Sequence, residues 1–278
     1  MTPLLFVLAV FATSIVAGFF GSLLGLGGGI IVIPALTLLL HVDIRLAIGA
    51  SIVSVIATSS GAAAAYVRDR LANLRIGMFL ELGTTSGAIT GAYLAGILSP
   101  RWLFLIFGVV LAYSAVVMLR RRHVEESTVV PSRRIDRLLK LSGTFEDAAR
   151  GTSVDYVAKR PGIGLGLMYV AGIVSGLLGI GSGALKVPAM DLAMGLPIKV
   201  STATSNFMIG VTAAASAGLY FTRGQIDPFI AAPVAVGVLA GAFAGSHTLG
   251  RIDSKAIRML FVVVLILISV EMILRGIR

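Results

Sequence analysis

The chain has 278 residues, 57% of them hydrophobic and only 13% charged, with a mean hydropathy of +0.98. So much apolar surface excludes an ordinary soluble domain, and apolar runs of about 18 residues or more recur along the chain, so it reads as an all-α, polytopic helical membrane protein. The formal charge of +10 comes from 23 Lys and Arg against 13 Asp and Glu. Most of the excess lies between or beside apolar stretches, the positive-inside pattern of cytoplasmic anchoring rather than a nucleic-acid surface. Cysteine is absent and the three histidines, His41, His123 and His247, are scattered. No disulfide, metal or cofactor is therefore expected.

Thr2 to Leu40 is one apolar tract, interrupted only by Gly25-Leu26-Gly27-Gly28-Gly29. As a single helix it would be roughly 60 Å long, against a hydrocarbon core of about 30 Å. It must break, and the glycines mark the place. The expectation is a helix over 4–24 and a shorter one over 30–40, with Pro34 near its first turn, where a missing N–H costs least. The tract lacks the basic start of a secretory signal and its equivalent recurs in mid-chain, so it is read as part of the mature protein.

Further spans follow over 46–67, 76–98 and 102–119. The segment from Arg120 to Arg160 is the only long hydrophilic one, carries ten Lys and Arg, and is placed in the cytoplasm. Within it, residues 135–141 suit either a short amphipathic helix on the membrane surface or a solvated linker. The division is then 1–121, a first membrane repeat; 122–160, a basic cytoplasmic linker; and 161–278, a second repeat.

The repeat is the most informative feature. A single ungapped offset of 154 residues pairs Gly27 with Gly181, Gly29 with Gly183, Pro34 with Pro188, Ser51 with Ser205, Thr58 with Thr212 and Tyr66 with Tyr220. It also pairs Gly83, Gly87 and Gly91 with Gly237, Gly241 and Gly245. Chance does not hold register over such a length. Glycines every fourth residue let another backbone approach closely, either between the halves or across a homodimer. If the broken tract folds back as a hairpin, each half has five segments and the second inserts upside down; a single crossing leaves four and parallel halves. Loop charge does not choose between them. The tract's length and central break favour the inverted arrangement, a recurring plan of secondary transporters.

Each break would present the N-terminus of a short helix at depth, and unpaired N–H groups with their partial positive charge favour anions. Gly27, Gly28, Gly29, Gly181, Ser182 and Gly183 would supply these donors. Lys186, inside the second apolar tract where the first has Val32, is a candidate countercharge, with an ion pair to Asp191 as the structural alternative. Ser51, Thr204, Ser205 and Asn206 would line the pocket. Glu81, opposite Ala235 in the repeat, could carry a coupling proton or sit near Arg75 at the interface; His247 is a second proton candidate or a hydrogen-bonded packing residue.

Twin apolar tracts reading G-x-G-G/S-G-x-x-x-x-P, here Gly25 through Pro34 and Gly179 through Pro188, joined by a basic loop, resemble the TauE/SafE-type sulfite exporter family. The resemblance implies a multi-pass, proton-linked transporter for sulfite, organosulfonates or related sulfur oxyanions and carboxylates, in a bacterial-type inner membrane. Ser182 and Lys186 are departures from the family pattern. The residues thus point to a secondary carrier for a small anion working by alternating access. A passive anion channel would use the same site, whereas a membrane enzyme finds no catalytic constellation in the sequence.

Overall fold

The computed structural model describes residues 2–24, 28–68, 72–120, 141–147, 152–248 and 254–277. Where apolar sequence runs without glycine clusters, helices form: α1 spans Pro3–Leu24, α2 Gly29–Pro34, α3 Ile44–Arg68, α4 Leu74–Ile97 and α5 Pro100–Arg120. A β-hairpin follows, β1 Ser142–Asp147 paired antiparallel with β2 Thr152–Val157. The later helices are α6 Pro161–Leu178, α7 Gly183–Pro188, α8 Ile198–Thr222, α9 Pro228–Thr248 and α10 Ser254–Ile277. Gly29, Ile44, Leu74 and Pro100 open helices in the first part; Gly183, Ile198, Pro228 and Ser254, each 154 residues later, open helices in the second.

The prolines depart from expectation. Pro34 and Pro188 are not first-turn residues but the sixth and last residues of α2 and α7. A proline there removes one helical N–H and crowds the carbonyl a turn back. Both helices respond by widening into a π turn, Ala35–Leu39 and Ala189–Ala193. Thr37 Oγ1 donates to Ile33 O at 2.8 Å inside the first of these turns.

Packing directions follow from contacts between helices. Gly83, Gly87 and Gly91 of α4 lie against Leu165, Tyr169 and Ile173 of α6, so the two helices run the same way. Gly237 and Gly241 of α9 meet Phe11 and Ile15 of α1 in the same sense. In return, Gly172 and Gly176 press on Thr84 O and Ala88 O, and Gly18 on Val238 O. The glycine faces are thus filled by other helices of the same chain. Along α4, Gly77, Glu81 and Ala92 meet Thr204, Thr212 and Arg223, so α8 also runs parallel to α4. With α6 and α8 parallel, α7 between them must return against both. By contrast α3 and α8 are antiparallel, Gly49 meeting Gln225 and Ser59 meeting Gly210. So are α5 and α10, where Arg101 binds Gly276 O and Ser269 binds Gly108 O.

The outer surface is apolar. Leu8, Leu82, Val109, Phe243 and Leu267 are all exposed, as suits helices facing hydrocarbon. Among the described residues and judged alone, 3–21, 100–117 and 161–178 are the stretches long and apolar enough to cross a membrane. The central helices α3 and α8 need not be so apolar, since protein rather than lipid surrounds them. At one end of the bundle, Arg45 donates to Leu98 O and Arg101 to Gly276 O, carbonyls that helix C-termini leave open, while Arg223 donates to Ala92 O in the last turns of α4.

The expected amphipathic helix or solvated linker over 135–141 falls, Leu141 apart, outside the described residues, while a hairpin that the sequence does not announce follows it. Its strands occupy 142–147 and 152–157, where Thr144 and Phe145 in β1 and Thr152, Val154, Tyr156 and Val157 in β2 are strand-favouring residues. Its base is docked on the bundle: Leu141, Tyr156 and Ala158 are buried with Ile76, Leu80, Met168, Met190, Met194 and Met208. Asn73, the N-cap of α4, accepts from Ile76 N and donates to Ser142 O and the Tyr156 hydroxyl. Burial pushes the Tyr156 phenol pKa up, against the opposing hydrogen bond from Asn73.

Two glycine substitutions separate packing from propensity. A Cβ at Gly91 would overlap the backbone of Ile173, whereas one at Gly218 meets nothing within 4 Å. Gly91→Val is expected to destabilise the detergent-solubilised protein by about 1–3 kcal/mol through overpacking. Gly218→Ala should be neutral or stabilising by up to about 1 kcal/mol. Thermal unfolding of both variants checks the seam.

Candidate functional site

The two glycine breaks lie against one another. Gly28 caps α2 with a φ of 73°, Gly181 has 77°, and Gly179 ends α6 at 65°, all in the left-handed region that glycine enters freely. Ser182, the N-cap of α7, takes φ 51° despite its side chain. A Cβ on Gly29 would fall 2.6 Å from Ser51 Oγ and 3.2 Å from Gly179 O, so only glycine lets the first break approach the second. Ser51 Oγ closes the junction by donating to Gly179 O at 2.8 Å. Gly27 lies outside the described residues.

Around this junction the polar side chains are almost wholly buried. Ser182 is 1% exposed and Ser205 1%, and neither Oγ has a hydrogen-bond partner. Leaving a buried hydroxyl unpaired costs about 1–3 kcal/mol, which points to a missing partner. Gly183 opens α7, and Ser182 O accepts from Leu185 N and Lys186 N. Thr204 and Asn206 are committed elsewhere: Thr204 Oγ1 accepts from Asn73 N at 3.0 Å, and Asn206 donates to Thr202 O of its own helix. Ser51 likewise spends its proton on Gly179 O.

Lys186 is fully buried, and its Nζ donates to Thr212 Oγ1 at 2.6 Å. Thr212 Oγ1 in turn lies 2.6 Å from Glu81 Oε1 and 2.8 Å from Met208 O, and Thr85 Oγ1 donates to the same carboxylate oxygen at 3.0 Å. Glu81 is 8% exposed and its other oxygen, Oε2, has no partner. Glu81 therefore sits in the protein interior, hydrogen-bonded to α8, rather than at an interface with Arg75. Burying two opposite charges demands compensation, and one threonine hydroxyl touches both. His247 falls on α9, and its side chain lies outside the described residues.

Sequence reasoning passed over Thr212 as a site residue although it pairs with Thr58 in the repeat. Its signal was position: Thr212 lies 10 residues after Thr202, within the same hydroxyl-rich helix as Ser201, Thr204 and Ser205. Only the crossing of α8 against α4 brings it to Glu81. Thr85 was missed for the same reason, being one turn beyond Glu81. Among the described residues, no group of His, Cys, Asp or Glu could hold a metal ion.

Thr212→Val keeps the shape and removes the bridge, and is expected to cost about 1–3 kcal/mol, with Thr212→Ser recovering most of it. Glu81→Gln or Lys186→Met alone leaves one buried charge unpaired, a loss of about 3–5 kcal/mol. The double variant should be more stable than either single one, and a double-mutant cycle of detergent melting curves tests this.

Comparison with known proteins places the architecture in context. The chain matches the family described as Sulfite exporter TauE/SafE over residues 10–272. It is similar to the probable membrane transporter protein YunE of Bacillus subtilis, 31% identical over 272 residues covering 95% of this chain and 96% of the relative. YdhB of the same organism, also a probable membrane transporter protein, is 28% identical over 87% of this chain and 89% of its own. The probable membrane transporter protein MJ0441 of Methanocaldococcus jannaschii is 24% identical over 93% and 92% respectively. No solved structure matches the chain.

Proposed function

The chain belongs to the sulfite exporter TauE/SafE family of membrane transporters, and we propose that it is a proton-linked secondary carrier for a small oxyanion, sulfite or an organosulfonate first among them. One observation carries the reading. Ser182 at the second break and Ser205 on α8, one turn before the Ile209 side chain that meets Gly181, keep buried and unpaired hydroxyls, and the buried Lys186 follows Ser182 by one turn of α7. Hydroxyl donors, helix-end N–H groups and a cation together replace the hydration of an anion, and the N–H groups and the ammonium disfavour a cationic substrate.

Alternating access between inverted halves is the proposed mechanism. Equivalent helices in the two halves, α3 with α8 and α5 with α10, run antiparallel where they meet, which supports a two-fold axis in the membrane plane. A two-fold along the membrane normal would leave equivalents parallel. The antiparallel return of α7 supports a five-segment half. Occlusion favours a carrier over a passive channel: Ser51, Ser182, Lys186 and Ser205 are all at most 1% exposed, so the site is closed to both sides at once.

The helix ends beside the hairpin carry Arg75, Lys159 and Arg160, and the sequence of the linker itself adds a dense run of Arg. The opposite ends carry Arg45, Arg101, Arg223 and Arg275. This imbalance supports a cytoplasmic linker in a bacterial-type inner membrane. Cysteines introduced at residues 2 and 277 should then both react from the side opposite the linker; reaction from the linker side alone would refute inversion.

The substrate is tested with proteoliposomes and a panel of sulfite, thiosulfate, sulfoacetate and acetate. Saturable uptake that responds to a pH gradient is expected for at least one sulfur oxyanion. Lys186→Ala should weaken binding of that anion by about tenfold or more, since a charge-assisted hydrogen bond contributes about 1.5–3 kcal/mol. A large single-channel conductance would establish the channel reading instead.

A further inference from the structure

We infer that Glu81, Thr212 and Lys186 form a charge-balancing unit that admits one negative charge on the substrate only together with one proton, so that transport is electroneutral. The inference rests on the carrier reading and specifies how its site is coupled.

The unit is drawn from both parts of the chain: Glu81 from α4, Lys186 from α7 and Thr212 from α8. With both ends ionised the buried charge sums to zero. An anion arriving at Lys186 would add an uncompensated negative charge to a site closed to water, which is costly. Protonation of Glu81 removes that cost. A hydronium ion yields its proton to the carboxylate and leaves as water, and the one bond formed is O–H on Glu81. Oε2 is buried and has no partner, so it is the oxygen free to take the proton.

Thr212 links this event to the anion. Its hydroxyl has one proton and two acceptors within reach, Glu81 Oε1 at 2.6 Å and Met208 O at 2.8 Å. Against a carboxylate the hydroxyl donates to Glu81 and its oxygen holds Lys186. Once Glu81 is neutral its pull on that proton falls, the hydroxyl can turn to Met208 O, and the ammonium, its countercharge gone, is left to pair with the anion. Coupling of this kind is reciprocal: protonation raises anion affinity, and the anion raises proton affinity by the same factor.

The groups facing Glu81 are few. From its own helix comes Thr85, and from α8 and α7 come Thr212 and Lys186. The titratable side chain that α6 brings along α4 is Tyr169, hydrogen-bonded to Thr90. On α8, Tyr220 is held by Gly176 O and Leu177 O, while Arg223, just past its end, is held by Ala92 O. A sodium ion at Oε2 would stand one hydroxyl away from an ammonium and need room of its own; a proton needs neither.

Four occupancies follow. Empty with Glu81 ionised, and loaded with Glu81 protonated, are both neutral in the membrane interior and can reorient. Proton without anion, or anion without proton, leaves one net charge and stalls. Glu81→Gln imitates the protonated form permanently. Its loaded state is neutral and its empty state is charged, so it should exchange anion for anion across the membrane yet fail to complete a net cycle.

The test uses reconstituted protein with the same four-anion panel. Net uptake of the transported anion should follow an imposed pH gradient and stay unchanged when valinomycin and potassium clamp the membrane potential. Glu81→Gln should keep counterflow while its net flux drops about 100-fold or more, the scale set by an unpaired buried charge. A second measurement needs no variant: binding of the anion to solubilised wild-type protein in weak buffer should take up close to one proton per monoanion. Flux that tracks the clamped potential or a sodium gradient, wild-type net flux in Glu81→Gln, or binding without proton uptake would each overturn the inference and leave the carrier reading standing. If no anion of the panel binds or moves, the carrier reading falls and takes the inference with it.

Discussion

The structure depends on a constraint that lipid imposes: where a helix is interrupted at depth, its backbone groups have no water to turn to. The second interruption meets this constraint with a group from the first half. Gly179 O receives the Ser51 hydroxyl from the opposite half, and Gly29 comes close enough to allow it because it has no side chain. Long glycine seams make such proximity possible. Gly83, Gly87 and Gly91 against α6, and Gly237 and Gly241 against α1, bring whole helices to near backbone contact, where dispersion and weak C–H contacts replace a hydrophobic driving force that lipid does not provide.

Polarity is distributed unequally over this frame. Where the first break has Val32, the second has Lys186; where the first has Gly28, the second has Ser182. At the break the second half is the more polar, yet the negative partner of its lysine is Glu81, supplied by the first, at a position where the second has Ala235. The charged pair therefore spans the two halves, and any relative motion of those halves would act directly on it. That is a physical reason for binding and reorientation to be linked in one site.

The hairpin adds an asymmetry of another kind. Asn73 ties α4, the hairpin and Thr204 together, so the linker side of the bundle is tied by hydrogen bonds to a helix that also carries site residues. The counterpart of Asn73 in the second half is Asp227, whose carboxylate accepts the local N–H of Phe229. The two ends of the bundle are thus closed by different means.

Much of this was legible in the sequence. Apolar length demanded membrane helices, glycine clusters demanded breaks, and a constant offset of 154 residues placed equivalent helices before any coordinates were known, because helix periodicity and backbone chemistry are local. The buried Lys186 announced itself by cost alone. What the sequence left open were long-range choices: whether Lys186 turns to Asp191 or elsewhere, whether Glu81 reaches inward, which hydroxyls stay unpaired, and what the linker does. Those depend on which helix crosses which and in what direction. Thr212 lies 131 residues from Glu81 and 26 from Lys186, and only the crossing of α4, α7 and α8 sets one hydroxyl between two charges.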